Sequence, residues 1–360
     1  MNLPDLPDLP NLPIPASTVE SNVALQALAQ GDFSFYAERF LAAGLAVQQP
    51  ATGMMQIHPS AKSTPANLTK RVLISVGVHG DETGPIEMLQ QLLNQLLEQL
   101  AHTPTLLAAD LLLIVGNPAA IVQGRRYVDA DLNRMFSQER GDLGQAQEAG
   151  RADQIMQAAQ DFFAECAISG GQAWHLDLHS TIRPSHIATF AIVPTTIEQA
   201  AFDALCSWLG QAAVDAIILN PTNAATFSSF TASHCGASSA TVELGQIGQN
   251  NLNQLAPMRR ALMRLLCSDP GGSGVRFNQP QRFRVTQQIM KLSDAFAMKC
   301  NADIWNFTPL SRGTLIAQDG AHLYAVREAV EYILFPNPNV VIGQRAGLMV
   351  VSVIAGNMGV

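Results

Sequence analysis

Between Arg71 and Leu89 the chain reads RVLISVGVHGDETGPIEML, and its apolar period changes inside that stretch. Val72 to Val78 is a β-branched and aliphatic run, long enough for one buried strand. Past Gly84-Pro85 the period becomes helical, with Ile86, Leu89, Leu92, Leu93, Leu96, Leu97 and Leu100 at three- and four-residue steps. Strand, glycine turn and helix make a βα unit, and α/β proteins gather ligands at the carboxyl ends of such strands.

The same alternation continues downstream. Apolar runs at Met54–His58, Leu106–Val115, Ala173–Leu178, Ile187–Val193, residues 214–219 and Ser239–Leu244 predict strands. Between and before them, Val23–Ala29, Phe33–Ala43 and residues 85–101, 145–167, 197–212 and 252–267 carry helical periodicity. Asp269-Pro-Gly-Gly-Ser-Gly274 breaks the pattern. Beyond it only short extended segments remain, at Arg282–Gln288, Gly313–Ala317, Ala329–Leu334 and Gly347–Ile354. The expected fold is α/β: a mostly parallel sheet flanked by helices over residues 18–268, with a smaller β-rich C-terminal domain over 275–360. Residues 1–17 repeat a Leu-Pro-Asp/Asn unit that forbids helix and favours a flexible, extended arm.

Composition narrows the partners. The 360 residues are 48% apolar with a net charge of −8, and no Lys/Arg-rich block occurs, which argues against nucleic acid. An acidic chain can still take an anionic small molecule if arginines are concentrated in its site. Five scattered cysteines without a CxxC pair indicate neither a disulfide framework nor a thiolate metal site. With no signal-peptide pattern and no membrane-length apolar run, a cytoplasmic location is expected, and an oligomer is possible.

His79 and Glu82 sit three residues apart at the end of the first strand, where an imidazole and a carboxylate can share one divalent metal. Taken alone, such a pair is more often a solvated turn. His179, at the end of HLDLHS, supplies a third ligand from another strand end, with Asp177 on the same strand face as an orienting partner. Three protein ligands and an open position are the pattern of catalytic zinc. Glu243 near the end of SATVEL is placed to move a proton. Arg125, Arg126, Asp131, Asn133 and Arg134 crowd one short stretch, where guanidinium forks can hold carboxylates or an oxyanion.

HGDE, RRYVDADLNRMF, DLHSTIR and VELG, in this order, resemble the succinylglutamate desuccinylase/aspartoacylase family, a branch of the zinc carboxypeptidase-like fold. The similarity runs from about residue 50 to 353 and includes the closing LFPNPNVVIGQRAGLM. It implies one Zn²⁺ per chain on His79, Glu82 and His179, with Glu243 as the catalytic glutamate. Arg126 matches the arginine that polarises the scissile carbonyl, and Asn133-Arg134 the pair that holds a substrate carboxylate. Arg183 and Arg125 are further carboxylate candidates. The implied activity is cleavage of N-succinyl-L-glutamate to succinate and L-glutamate, the last step of arginine catabolism by the succinyltransferase pathway. An N-acyl-aspartate deacylase, a peptide-cleaving zinc carboxypeptidase or a non-catalytic metal-binding scaffold are the alternatives. Three features depart from the family: Asp81 where asparagine is usual, the short GQIGQNN after Glu243, and the proline arm.

Overall fold

The computed structural model describes residues 18–59, 70–221, 224–248, 254–268, 279–301 and 303–353. The proline arm at 1–17, the break at Asp269–Gly274 and the end of the loop after Glu243 lie outside the described residues.

In chain order the elements are α1 (Thr18–Ala29), α2 (Ser34–Ala42), β1 (Ala46–Gln48), β2 (Met54–His58), β3 (Lys70–Val76), α3 (Gly84–His102), β4 (Asp110–Val115) and α4 (Pro118–Val122). Then come α5 (Gln147–Ser169), β5 (Gln172–Thr181), β6 (Phe190–Pro194), α6 (Gln199–Gln211), β7 (Ala216–Asn220), α7 (Phe227–Cys235), β8 (Ser238–Gln246) and α8 (Ala256–Leu266). The C-terminal strands are β9 (Gln281–Met290), β10 (Phe296–Met298), β11 (Thr308–Ser311), β12 (Leu315–Asp319), β13 (His322–Ala325), β14 (Val330–Leu334) and β15 (Arg345–Ser352).

A 12-stranded sheet in the order β1-β2-β4-β3-β5-β8-β6-β7-β9-β15-β14-β11 spans the molecule, and β10, β12 and β13 form a second, three-stranded sheet. The core β4-β3-β5-β8 is parallel. Strands β6 and β7 pair parallel to each other, β6 running antiparallel to β8. Covered on both faces, the central strands are buried along most of their length, as β3 with six buried residues of seven illustrates. Helix α3 buries Ile86, Leu89, Leu92, Leu93, Leu96, Leu97 and Leu100 against one face, in one core with α6 and α8. Helices α5 and α7 cover the other, with Phe162, Phe163, Phe227 and Phe230.

Two features are not legible in the sequence pattern. The C-terminal strands join the main sheet: β9 pairs in parallel with β7, from Ala216↔Gln281 to Leu219↔Arg284, so the sheet runs on into them. Helix α7 is also new, because FSSFTASHC has no strong apolar stripe and is rich in residues of low helix propensity. Packing supplies what propensity does not, since Phe227, Ser228, Ser229, Phe230, Thr231 and Ala232 are all buried. Among the described residues no helix is long and apolar enough to cross a membrane.

Candidate active site

His79 and Glu82 lie in the turn between β3 and α3, and the turn needs its glycines. Gly77 has φ +62°, a backbone region that favours glycine. A Cβ on Gly80 would stand 2.3 Å from the carbonyl carbon of Ala120, and the Gly80 N–H donates to Arg126 O at 3.0 Å. That close approach brings the arginine-bearing loop against the turn. Strand register does the rest, since His179 on β5 lies beside Glu243 on β8, on one face of the sheet.

The donor atoms of His79, Glu82 and His179 fall within 4.8 Å of one another, and all three residues are buried. Glu82 Oε1 is 2.8 Å from His79 Nδ1, and Oε2 is 3.0 Å from His179 Nδ1. The outer nitrogens also face carboxylates: His79 Nε2 lies 3.0 Å from Asp131 Oδ1 and His179 Nε2 2.9 Å from Asp177 Oδ2. A neutral imidazole carries a single N–H, yet both nitrogens of each ring meet an acceptor. A cation held by the two Nδ1 atoms and Glu82 removes this mismatch and leaves each Nε2–H to its aspartate, the carboxylate–histidine–metal arrangement. The donor set therefore fits a divalent metal.

Charge follows the same geometry. Burial alone would raise Glu82, but His79 and His179 hold it well below the usual carboxylate range. Burial opposes a charge on His179, but Asp177 and Glu82 lift it well above the usual imidazole range. Glu243 behaves in the opposite way. Burial, with repulsion from Glu82, pushes its carboxyl up to about 7 against the pull of His179, His79 and Arg126. Its Oε2 is buried without a hydrogen-bond partner.

Around this centre a cavity of about 480 Å³ is lined by His79, Glu82, Arg126, Asp131, Asn133, Arg134, His179, Arg183, Glu243 and Arg345, among others. Arg126 Nη1 donates to Glu82 Oε1 at 3.0 Å. Asn133 and Arg134 sit in a 3₁₀ turn, Leu132–Arg134, and Asn133 Oδ1 accepts from the Phe227 N–H at the start of α7. Arg183 Nε donates to the Pro336 carbonyl at 3.1 Å, joining β5's loop to the C-terminal domain. Arg125 is exposed and is not among the residues that line the cavity.

Three residues escaped sequence reasoning. Asp131 was read with the arginines, but it contacts His79 across 52 positions. Buried Glu148 accepts from the N–H groups of Val128, Asp129 and Ala130 at 2.6, 3.2 and 3.1 Å, and so anchors the loop carrying Arg126 and Asp131. Arg345 reaches the cavity from β15. None of these contacts leaves a local sequence signal.

A buried two-histidine, one-carboxylate set at strand ends, beside a glutamate whose carboxyl burial pushes up, fits an amide hydrolase on a mostly parallel sheet. The catalytic-domain model of the succinylglutamate desuccinylase/aspartoacylase family matches residues 68–268, and the family's barrel-sandwich hybrid domain matches residues 278–353. Similar proteins include the succinylglutamate desuccinylase of Burkholderia lata, 42% identical over 83% of this chain and 84% of its own. That of Burkholderia thailandensis is 43% identical over 80% and 82%. The crystal structure of the Vibrio cholerae succinylglutamate desuccinylase superposes with a TM-score of 0.74 at 28% identity, over 87% of this chain and 94% of that one. The chain belongs to the succinylglutamate desuccinylase/aspartoacylase family and is an amide hydrolase.

Proposed function

We propose that this chain cleaves N-succinyl-L-glutamate to succinate and L-glutamate in the cytoplasm, using one zinc ion held by His79, Glu82 and His179. One observation carries the reading: the His79–Glu82–His179 set and the unpartnered Glu243 carboxylate open into one cavity lined by four arginines. The relatives named succinylglutamate desuccinylase support it.

Zinc, when bound, supplies Lewis-acid polarisation and acidifies the attacking water. The chain's own groups do the positioning and the proton transfers. Glu243, with a carboxyl near 7, is matched to take a proton from water near neutral pH as that water attacks the succinyl amide carbon. The same carboxyl then protonates the glutamate nitrogen as the C–N bond breaks. Asp131, Glu82, Asp81 and Glu243 outweigh burial and keep Arg126 charged, so its guanidinium can stabilise the developing oxyanion. Arg134, Asn133 and Arg183 receive substrate carboxylates. Asp131 and Asp177 orient the histidines.

The test is succinate release from N-succinylglutamate, run beside N-acetylaspartate, before and after chelation and zinc re-addition. Zinc-restored release from the succinyl substrate alone is expected. Turnover of the acetyl substrate alone would move the specificity to an N-acyl-aspartate, and silence on both with zinc bound would sink the catalytic reading.

A further inference from the structure

Arg345 opens β15, with Met290 of β9 as its register partner, and its guanidinium reaches the cavity that holds Glu243 and the His79–Glu82–His179 set. It is the charged residue that the C-terminal domain adds to the lining of this cavity. Among the described residues neither Arg345 nor Arg134 forms an ion pair with a carboxylate, whereas Arg126 is bound to Glu82. Burial, with repulsion from Arg134, draws Arg345 down to about 9 against the pull of Asp131. Two guanidiniums in one cavity, neither held in an ion pair and both attracted by Asp131, repel each other and are favourably placed for an anion between them.

We infer that Arg345 is a specificity-determining residue which, together with Arg134, binds one of the substrate's carboxylates, so that the C-terminal domain completes the substrate pocket. The inference rests on the proposed tricarboxylate substrate for its full form, although a dicarboxylate probe reads it independently. Arg126 is paired with Glu82 and assigned to the oxyanion, and Arg183 donates to the Pro336 carbonyl, so the inferred carboxylate site is placed on Arg134 and Arg345.

The experiment compares wild type with Arg345→Gln and Arg345→Lys on N-succinylglutamate and on three analogues, each lacking one carboxylate. These are N-butyrylglutamate, N-succinylglutamine and N-succinyl-4-aminobutyrate. Arg345→Gln is expected to lower kcat/KM on the full substrate by about 10²–10³-fold, the usual loss when one partner of an enclosed charge pair is removed. On the analogue that lacks the carboxylate bound by Arg345, the same variant is expected to change little, and Arg345→Lys to retain part of the activity. Removing one of two like charges should leave Tm unchanged or raised. An equal loss on all four substrates, or no loss on any, would overturn the inference. Calorimetric binding of succinate and of L-glutamate to the zinc-loaded protein separates the two claims. If wild type fails to hydrolyse N-succinylglutamate yet binding of one probe weakens at least tenfold in Arg345→Gln, the substrate reading falls and the Arg345 site stands. Unchanged binding of both probes removes the site.

Discussion

On the sheet side of the cavity, His79, Glu82, His179, Asp131 and Asp177 form a chain in which imidazoles alternate with carboxylates. Arg134 and Arg345 line the same cavity and, among the described residues, neither forms an ion pair with a carboxylate, although Asp131 attracts both. The floor is an acceptor-rich ring that suits a metal cation. The wall is donor-rich and suits an anion. An acidic chain of net charge −8 can thus present a cationic pocket, because the local arrangement of arginines and not the total charge sets what enters. In the function proposed above, the floor supplies the hydrolytic chemistry and the wall selects the acyl amino acid.

The contrast can be broken most severely at Glu243. Glu243→Gln should leave metal content intact and lower kcat by about 10³-fold, within the range for losing a general acid–base. Near-normal turnover would remove the residue from proton transfer. A smaller effect is expected beneath the metal ligands. Asp131→Asn or Asp177→Asn should weaken metal affinity by about 10–100-fold, read by competition with a chelating dye. An unchanged affinity would show that the histidines orient themselves without their aspartates.

An effect on stability alone concerns the buried support under the floor. His175 contacts Ser75 Oγ at 2.9 Å and Thr231 Oγ1 at 2.7 Å, and burial lowers its pKa to about 4. In the fold it stays neutral where the unfolded chain, titrating at about 6.5, takes up a proton. Stability is therefore unaffected above about pH 6.5 and is lost as pH falls toward 4, by roughly 3 kcal/mol at the limit. Denaturant titrations of wild type and His175→Gln across that window should show the slope in wild type and a flatter profile in the variant. Parallel profiles would mean that His175 is already charged in the fold.

What the sequence discloses follows the same division. Most of the floor is legible because its parts are local: His79 and Glu82 share one glycine turn, and His179 and Glu243 stand near the ends of strands, whereas Asp131 meets His79 only through tertiary packing. The wall was legible only in part. Arg126, Asn133 and Arg134 stand in one conspicuous stretch, but nothing in RRY tells which of two adjacent arginines turns inward, and Arg125 turns out. Arg345 lies over 200 positions from Arg134, and only tertiary packing brings them to one cavity. Helix α7 and Glu148 were hidden for related reasons. One lacks amphipathic periodicity, and the other works by accepting backbone N–H groups from a loop about 20 residues away.

The division between floor and wall is tested most directly by wild-type kcat/KM on N-succinylglutamate against N-butyrylglutamate. The two share the scissile amide and the glutamate, and they differ by a single carboxylate on the acyl group. A preference of about 10²–10⁴-fold for the succinyl substrate is expected, since a site built to pair a charge rejects the analogue that lacks it. Equal values would mean that the arginine wall does not read the acyl carboxylate, and the assignment of the wall to substrate choice would fail.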